Sequence, residues 1–225
     1  MSNALPLIIF DVDGTLVGGE SNDWHAFGQA YQDVTGTALD LTLFERLNDV
    51  TAHSVIHAAL TEAGEADPQP LIQSVATTYA EILAQKIAQD PNVFCPTEGA
   101  IELLQELDRR GYDRAIATGD WTKSITLKLD LVGIPYQGVP LATSSDRPTR
   151  ATTIALAAER AGRELSETVY VGDGTWDYRA TQSLGIPFLG TGARTDALRA
   201  AGAKVILTDL HPENFFPVLE QALGQ

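Results

Sequence analysis

The 225-residue chain is long enough for one domain, or for a core domain with an inserted second unit, and it carries a formal net charge of −15. This acidic excess argues against nucleic acid and the membrane surface as partners, because both are polyanionic. No basic residue precedes the short apolar run 7–10, and no run approaches the roughly 20 apolar residues of a membrane span, so we expect a cytoplasmic protein.

The predicted elements begin with one buried strand and then become helical. The apolar run 7–10 predicts a strand that is buried on both faces. From about 22 to 89, apolar residues recur every three or four positions and Ala, Leu, Gln and Glu dominate, which predicts about four helices. The breaks expected between them lie at Gly36, Gly64, Pro68 and Pro70.

Strand and helix alternate from residue 98 onward. The helices are predicted over 98–110, 121–132, 151–161 and a segment that ends at Leu184. The strands are predicted over 114–118, 139–142, 168–171, 187–189 and 205–207. This alternation predicts a doubly wound α/β fold with a parallel sheet. Because the helical segment interrupts that sheet after its first strand, we expect a helical cap, 18–92, inserted into a core formed by 1–17 and 93–225. The cap would lie near the carboxyl ends of the strands, where such sheets bind ligands.

Two carboxylates follow the first strand directly, in the sequence Asp11-Val12-Asp13-Gly14-Thr15-Leu16. A buried strand seldom ends in charge without a reason, because unpaired buried carboxylates are costly. Gly14 allows the chain to turn and to approach a ligand closely. The alternative is a capped strand end with an ordinary turn, where Asp and Gly are common.

A second carboxylate pair follows strand 168–171, in the sequence Gly172-Asp173-Gly174-Thr175-Trp176-Asp177. Two carboxylates at one sheet edge would suit Mg²⁺, which prefers oxygen ligands. The alternative is helix N-capping by Asp173, with Asp177 in the favourable first turn. Thr118-Gly119-Asp120 follows another strand and offers hydroxyl and backbone N–H donors to an anion, unless it is a simple β-to-α turn.

Together, these three groups resemble the motifs of the haloacid dehalogenase superfamily, in its C1-capped, phosphoglycolate-phosphatase-like branch. The resemblance covers essentially the whole chain and implies a Rossmann-like core, a Mg²⁺ cofactor and a phosphatase acting on a small phosphorylated metabolite. One alternative is a phosphomutase of the same superfamily, since His25 lies near where sugar-phosphate mutases use a histidine. Another is a non-catalytic member that binds a phosphorylated ligand or a partner.

The resemblance also implies a role for each motif residue. Asp11 would attack phosphorus and form an aspartyl-phosphate, which splits one difficult displacement into two easier ones. Asp13 would protonate the leaving oxygen and then activate the water. Family members that cleave carbon–halogen bonds lack an acid at this position, so Asp13 favours phosphoryl chemistry. The residues expected to hold Mg²⁺ are Asp11, Asp13 through its backbone carbonyl, Asp173 and Asp177. Those expected to contact the substrate are Gly14, Thr15, Thr118, Gly119 and Asp120, with Thr118 at a phosphoryl oxygen.

One family feature is missing from the sequence. The family places a lysine between the second and last motifs, whereas the segment 145–150 contains none. Arg147, which precedes a proline as the family lysine often does, and Arg150, at another spacing that the family uses, are the candidates to replace it. Arg147 is slightly preferred. Lys123, in helix 121–132, is a third candidate, and a solvated surface position is the alternative for each. Arginine offers phosphate a bidentate fork but is not geometrically equivalent to lysine.

Overall fold

The computed structural model describes residues 5–224 as an α/β fold, so residues 1–4 and 225 of the predicted core lie outside the described residues. The strands are β1 (Leu7–Phe10), β2 (Val17–Gly18), β3 (Cys95–Pro96), β4 (Arg114–Ala117), β5 (Leu141–Ala142), β6 (Thr168–Gly172) and β7 (Phe188–Gly190). Five of them form a parallel sheet in the order β5-β4-β1-β6-β7, and β2 pairs antiparallel with β3. The doubly wound parallel sheet predicted from the sequence is therefore confirmed.

Helices cover this sheet and form the inserted unit. They are α1 (Glu20–Thr35), α2 (Leu43–Arg46), α3 (Ala52–Glu62), α4 (Gln69–Gln89), α5 (Ala100–Arg110), α6 (Thr122–Val132), α7 (Arg150–Arg160), α8 (Thr175–Leu184), α9 (Thr195–Ala201) and α10 (Pro212–Leu223). Helices α1–α4, which we call the cap, lie between β2 and β3 in the chain, at the position predicted for a helical insert. Within residues 5–224, none of these helices is long and apolar enough to cross a membrane.

Both faces of the sheet are buried, as the apolar run in β1 predicts. Ile8 and Phe10 belong to an apolar cluster that also includes residues of α5, α6, α10 and the cap. Leu7 and Ile9 belong to a second cluster, with residues of α7, α8 and α9. Because successive side chains of a strand point to opposite faces, β1 lies at the centre of the core and its last residue is held firmly in place.

The structure differs from the prediction at the edges of the sheet. Residues 205–207 do not form the predicted strand, because β7 ends at Gly190 and leaves a single residue for Ile206 to bridge. The strand predicted over 139–142 is shortened to Leu141–Ala142. Helices α9 and α10 and the β2–β3 pair were not predicted. Helix α9 and the two strands are too short for a clear apolar period. Helix α10 does bury Phe215, Phe216, Leu219 and Ala222 at helical spacing, a signal that the sequence analysis overlooked.

Candidate active site

Three neighbouring strands bring polar side chains to one edge of the sheet. Because β4, β1 and β6 are parallel and adjacent, the residues after their carboxyl ends lie side by side. Those residues are Thr118, Asp11 and Asp173, and all three are buried. The backbone N–H of Asp11 donates to Val171 O at 2.9 Å, and that of Thr118 donates to Ala142 O at 3.0 Å. The three groups identified in the sequence therefore meet at one place.

Asp11, Asp173 and Asp177 form a cluster of buried carboxylates. One oxygen of each lies within 4.8 Å of the others. Burial raises the pKa of Asp11 to about 7; contact with Arg150 opposes this shift, and the negative charge of Asp177 adds to it. A hard divalent cation would relieve this repulsion, and carboxylate oxygens are the ligands that Mg²⁺ prefers. The chemistry of this donor set therefore fits Mg²⁺.

Arg150 contacts two of the three carboxylates of this cluster. Its Nη1 donates to Oδ1 of Asp11 at 2.9 Å, and its Nε lies 3.2 Å from Oδ1 of Asp177. Nη2 donates to the carbonyl of Val50 at 3.1 Å. The guanidinium passes so close to Gly119 that a Cβ there would lie 2.6 Å from Nη2. Glycine at position 119 therefore makes room for the arginine that pairs with Asp11.

The other two candidate cations lie on the surface. Arg147 is exposed, and its guanidinium donates to the carbonyl of Asp146 at 3.2 Å. Its backbone belongs to a turn, in which Arg147 N donates to Thr143 O before α7 begins. Lys123 is exposed on α6. Arg147, which was slightly preferred as the replacement for the family lysine, therefore does not lie at Asp11. The side chain that contacts Asp11 is that of Arg150, at the start of α7.

Lys128 is a buried lysine that the sequence analysis overlooked. Its ammonium is fully inaccessible and lies 2.7 Å from Asp13 Oδ1, 2.8 Å from Asp23 Oδ1 and 2.9 Å from Asp120 Oδ2. The side chain of Asp13 is thus directed to Lys128. Burial raises the pKa of Asp13 well above its usual value, although Lys128 opposes the shift.

A sequence signal for Lys128 existed. Lys128 lies three residues after Ile125 and four before Val132, on the apolar face of α6. A lysine on such a face needs buried anionic partners.

Thr118 and Asp120 have different environments. The Thr118 hydroxyl borders the cleft described below and accepts a hydrogen bond from the backbone N–H of Asp120 at 3.1 Å. The Asp120 carboxylate instead faces the start of α6, where it accepts from Trp121 N at 2.6 Å and from the Ser124 hydroxyl at 2.7 Å. Asp120 therefore stabilises this helix start and pairs with Lys128, whereas Thr118 offers its side chain to the cleft.

Gly14 and Thr15 stabilise the loop after β1 through backbone hydrogen bonds. Gly14 adopts a φ of 80°, which favours glycine, and its N–H donates to Val17 O at 2.8 Å. Thr15 is buried, and its carbonyl accepts from the Thr97 hydroxyl. Neither residue is among those that border the cleft.

A cleft separates these core residues from the cap. On the core side it is bordered by Asp11, Asp13, Thr118, Gly119, Asp120, Arg150, Trp176 and Arg194. On the other side it is bordered by Asp23, Trp24, Phe27, Phe44, Val50, Thr51, Ala52 and Tyr79. His25 is not among these residues, because it is exposed on α1 with its Nδ1 2.6 Å from Ser21 O.

Arg194 is a second site residue that the sequence analysis overlooked. Its Nη1 donates to Asp173 Oδ2 at 2.7 Å, and its guanidinium lies 5.2 Å from the centre of the Trp176 ring. Arg194 follows β7 and precedes α9, which was not predicted, and no motif marks it in the sequence. Its role at Asp173 becomes visible only when β7 is placed beside β6.

The site has the organisation of a known family. A sequence model described as haloacid dehalogenase-like hydrolase matches residues 8–191. The chain is 28% identical over 210 residues to "Probable phosphatase IndB" of Dickeya dadantii, covering 90% of this chain and 89% of that protein. It is 26% identical over 195 residues to a phosphoglycolate phosphatase of Agrobacterium fabrum, covering 82% and 79%. In fold it is similar to CbbY from Rhodobacter sphaeroides in complex with xylulose-(1,5)bisphosphate, with a TM-score of 0.77, 21% identity, and coverage of 96% and 99%. The chain therefore belongs to the haloacid dehalogenase-like hydrolase family.

Proposed function

We propose that this protein is a Mg²⁺-dependent phosphatase that hydrolyses the phosphate monoester of a small metabolite through an aspartyl-phosphate on Asp11. The observation that carries the proposal is the buried cluster of Asp11, Asp173 and Asp177, in which Arg150 pairs with Asp11 and Asp177. Relatives named as a probable phosphatase, phosphoglycolate phosphatases and a phosphoserine phosphatase support the reaction class. The location in the cytoplasm stays a prediction from the sequence.

The first half-reaction transfers the phosphoryl group to Asp11. A carboxylate oxygen of Asp11 attacks phosphorus, and the bond from phosphorus to the ester oxygen breaks. Asp13 donates its proton to that leaving oxygen, so the product alcohol departs neutral. The raised pKa of Asp13, caused by its burial, favours the protonated acid that this step needs.

The second half-reaction releases phosphate and restores the enzyme. The oxygen of a water molecule attacks the phosphorus of the aspartyl-phosphate, and the bond between phosphorus and the Asp11 oxygen breaks. Asp13, now ionised, takes the proton of that water and returns to its initial acid form. The net reaction is the hydrolysis of one ester bond, and it needs no further reactant.

Other residues would orient Asp11 and stabilise the negative charge of the phosphoryl group during both steps. Arg150 orients the Asp11 carboxylate and opposes the rise of its pKa that burial causes, and the Thr118 hydroxyl would donate to a phosphoryl oxygen. When bound at Asp11, Asp173 and Asp177, with the Asp13 carbonyl, Mg²⁺ would offset the negative charge between the carboxylate and the phosphate. We further propose that the segment 18–92 closes over the substrate and excludes bulk water from the core formed by 1–17 and 93–225.

Two alternatives to a phosphatase receive no support from the site. A phosphomutase would use His25 at the substrate, but this side chain is exposed and does not border the cleft. A non-catalytic binding protein was suggested by the missing family lysine. Arg150 supplies a buried positive charge at Asp11, so this reason for doubting catalysis no longer applies.

The test is p-nitrophenyl phosphate hydrolysis with Mg²⁺ or with EDTA, by the wild type and by Asp11→Asn. We expect turnover only with Mg²⁺ and a loss of at least about a thousandfold in the variant, as for other removed nucleophiles. Asp67→Asn, which removes an exposed carboxylate of the cap, is the matched control and should keep full activity. A folded and active Asp11→Asn protein would overturn the proposal.

A further inference from the structure

The cap side of the cleft presents aromatic rings and one carboxylate. The rings belong to Trp24, Phe27, Phe44 and Tyr79. The centroids of Trp24 and Phe44 are 3.9 Å apart, and those of Phe27 and Tyr79 are 5.4 Å apart, so the rings pack into a continuous apolar wall. Asp23 adds a negative charge at this wall. Among the described residues, the cap contributes no cation to the lining of the cleft.

The charge behind this wall is also negative. Lys128 does not border the cleft, and its single ammonium is shared by the carboxylates of Asp13, Asp23 and Asp120. One positive charge thus serves three acidic groups, all of which border the cleft. An anionic group held against the cap side would therefore lie beside the Asp23 carboxylate and would find no cation on that side of the cleft.

The two arginines that border the cleft lie on the core side. Arg150 contacts Asp11, and Arg194 contacts Asp173. Both are therefore located at the carboxylates where the proposed chemistry binds the phosphoryl group. The positive charge of the cleft is concentrated at the reacting phosphate and not at the part of the substrate that faces the cap.

Building on the proposed phosphatase function, we propose that the cap wall selects phosphate monoesters whose alcohol part is uncharged and carries an apolar or aromatic group. Esters with a carboxylate or a second phosphate in the alcohol part are discriminated against. This substrate class differs from phosphoglycolate and from sugar bisphosphates, which the names of similar proteins mention.

Two physical effects would favour uncharged aromatic esters over carboxylated ones. An aromatic group of the substrate gains contact area and edge-to-face or stacked geometry against the rings of Trp24 and Phe44. A carboxylate at the same place loses its hydration without gaining a cationic partner, and it is repelled by Asp23. Burying a charged substituent without a partner costs more free energy than losing the contact of one methylene group.

The test compares esters that share one leaving-group chemistry. Benzyl phosphate and 4-carboxybenzyl phosphate differ by a carboxylate that lies far from the reacting oxygen, and phosphoglycolate is the third ester. With Mg²⁺ present, we expect kcat/KM for benzyl phosphate to exceed that for either carboxylated ester by at least about tenfold. Salt should reduce the difference, because it screens the charges that repel the carboxylate.

A pair of lysine substitutions tests whether the cap wall causes the preference. Phe44→Lys places a cation at the half-buried wall, so the ratio of kcat/KM should shift toward 4-carboxybenzyl phosphate by about tenfold or more. Leu41→Lys adds the same charge at a position that is 50% exposed and does not border the cleft, so it should leave the ratio unchanged.

The outcomes separate the two proposals. Hydrolysis of 4-carboxybenzyl phosphate or phosphoglycolate at least as efficiently as benzyl phosphate overturns the substrate class and leaves the phosphatase intact. An equal shift in both lysine variants overturns the assignment of selectivity to the wall. If p-nitrophenyl phosphate is hydrolysed but none of the three esters is, the substrate class is overturned and the phosphatase stands. No hydrolysis of any of the four esters overturns the proposed function, and the substrate class with it.

Discussion

Nη1 of Arg150 lies 2.9 Å from Oδ1 of Asp11, while Nε of the same guanidinium lies 3.2 Å from Oδ1 of Asp177. One arginine thus contacts two buried carboxylates of the cluster. Lysine, with a single ammonium on a flexible stem, would not present the same planar fork to both.

The first prediction concerns this arginine. Arg150→Met should abolish most activity and lower the free energy of unfolding by about 3–5 kcal/mol, because it leaves Asp11 and Asp177 buried without their partner. Arg150→Lys should retain part of both. Steady-state kinetics and urea unfolding measure the two effects.

Arg147→Met is the control for Arg150→Met. Arg147 is exposed on the turn before α7, so its loss should change stability by less than about 0.5 kcal/mol and leave kcat/KM near the wild-type value. An inactive Arg147→Met beside an active Arg150→Met would show that the cation has been assigned to the wrong residue.

The second prediction concerns Lys128. Lys128→Met should lower the free energy of unfolding by about 3–5 kcal/mol at neutral pH, because the carboxylates of Asp13, Asp23 and Asp120 lose their shared cation. Lys128 lowers the pKa of Asp13 and Asp120 in the native state, so its removal raises both pKa values further. The native variant then holds protons that the unfolded chain has lost. The difference in free energy of unfolding between the wild type and Lys128→Met should therefore grow as the pH rises.

Urea unfolding at pH 5 and pH 8 measures this difference. Lys123→Met, exposed on the same helix, is the control and should cost little at either pH. Equal costs for the two lysine variants, or a Lys128→Met deficit that shrinks from pH 5 to pH 8, would contradict the buried cluster.

The third prediction concerns Gly119, against which the guanidinium of Arg150 packs. Gly119→Ala would place a Cβ 2.6 Å from Nη2 of Arg150 and 3.1 Å from the carbonyl of Val50, so the guanidinium must shift away from Asp11. We expect activity to fall about tenfold or more and stability to fall by about 1–3 kcal/mol. Gly28→Ala is the control.

Nothing lies within 4 Å of a Cβ at Gly28, which is in the middle of α1, so that substitution should stabilise the protein by about 0.5–1 kcal/mol. Kinetics and thermal unfolding of the two variants provide the comparison. Full activity in Gly119→Ala would mean that Arg150 tolerates displacement.

The fourth prediction concerns Mg²⁺ and pH. In the metal-free protein, burial raises the pKa of Asp11 from 3.8 to about 7. Between these values the native state holds a proton that the unfolded state lacks, so Asp11 lowers the free energy of unfolding as the pH rises through this window. In the proposed site, Mg²⁺ would bind the ionised carboxylate. Its stabilising effect should therefore be larger at pH 8 than at pH 6, and binding should release protons near pH 6.5.

Thermal unfolding with and without Mg²⁺ measures this effect. A concentration of 100 times Kd stabilises by about 2.7 kcal/mol, and each kcal/mol shifts Tm by about 2–4 °C for a chain of this size. Asp173→Asn should lose most of the shift, and Asp67→Asn should keep it. A Mg²⁺ shift that survives Asp173→Asn would place the metal elsewhere.

The sequence was sufficient for the parts of the site that local pattern determines. The apolar run of β1 predicts a buried strand, and the carboxylates that follow it in the sequence are therefore expected at the end of that strand. Parallel pairing then brings Asp11, Thr118 and Asp173 to one edge. Arg147 and Arg150 could not be separated by spacing, because the choice depends on where α7 begins. The structure places that start at Arg150, after the N-cap Thr149.

The partners of Lys128 and the role of Arg194 needed tertiary information, although the place of Lys128 on the apolar face of α6 could have marked it as buried. Lysine is normally exposed, and the partner Asp13 is 115 residues away in sequence. The acidic partners that justify its burial come from three separate segments, and no local pattern relates them. The strand predicted over 205–207 was wrong for a similar reason. An apolar run forms a strand only where the neighbouring strand is long enough to pair with it, and here only Ile206 bridges to Gly190.

The position of β1 also has a consequence for how this protein is made. The ribosome synthesises β1 before the cap, yet both of its hydrogen-bonding neighbours, β4 and β6, come after the cap. Such pairing gives a high contact order, and closing these long loops slows folding. Until β6 has been synthesised, β1 exposes an apolar surface, so we expect Asp11 to reach its final position only after β6 has emerged.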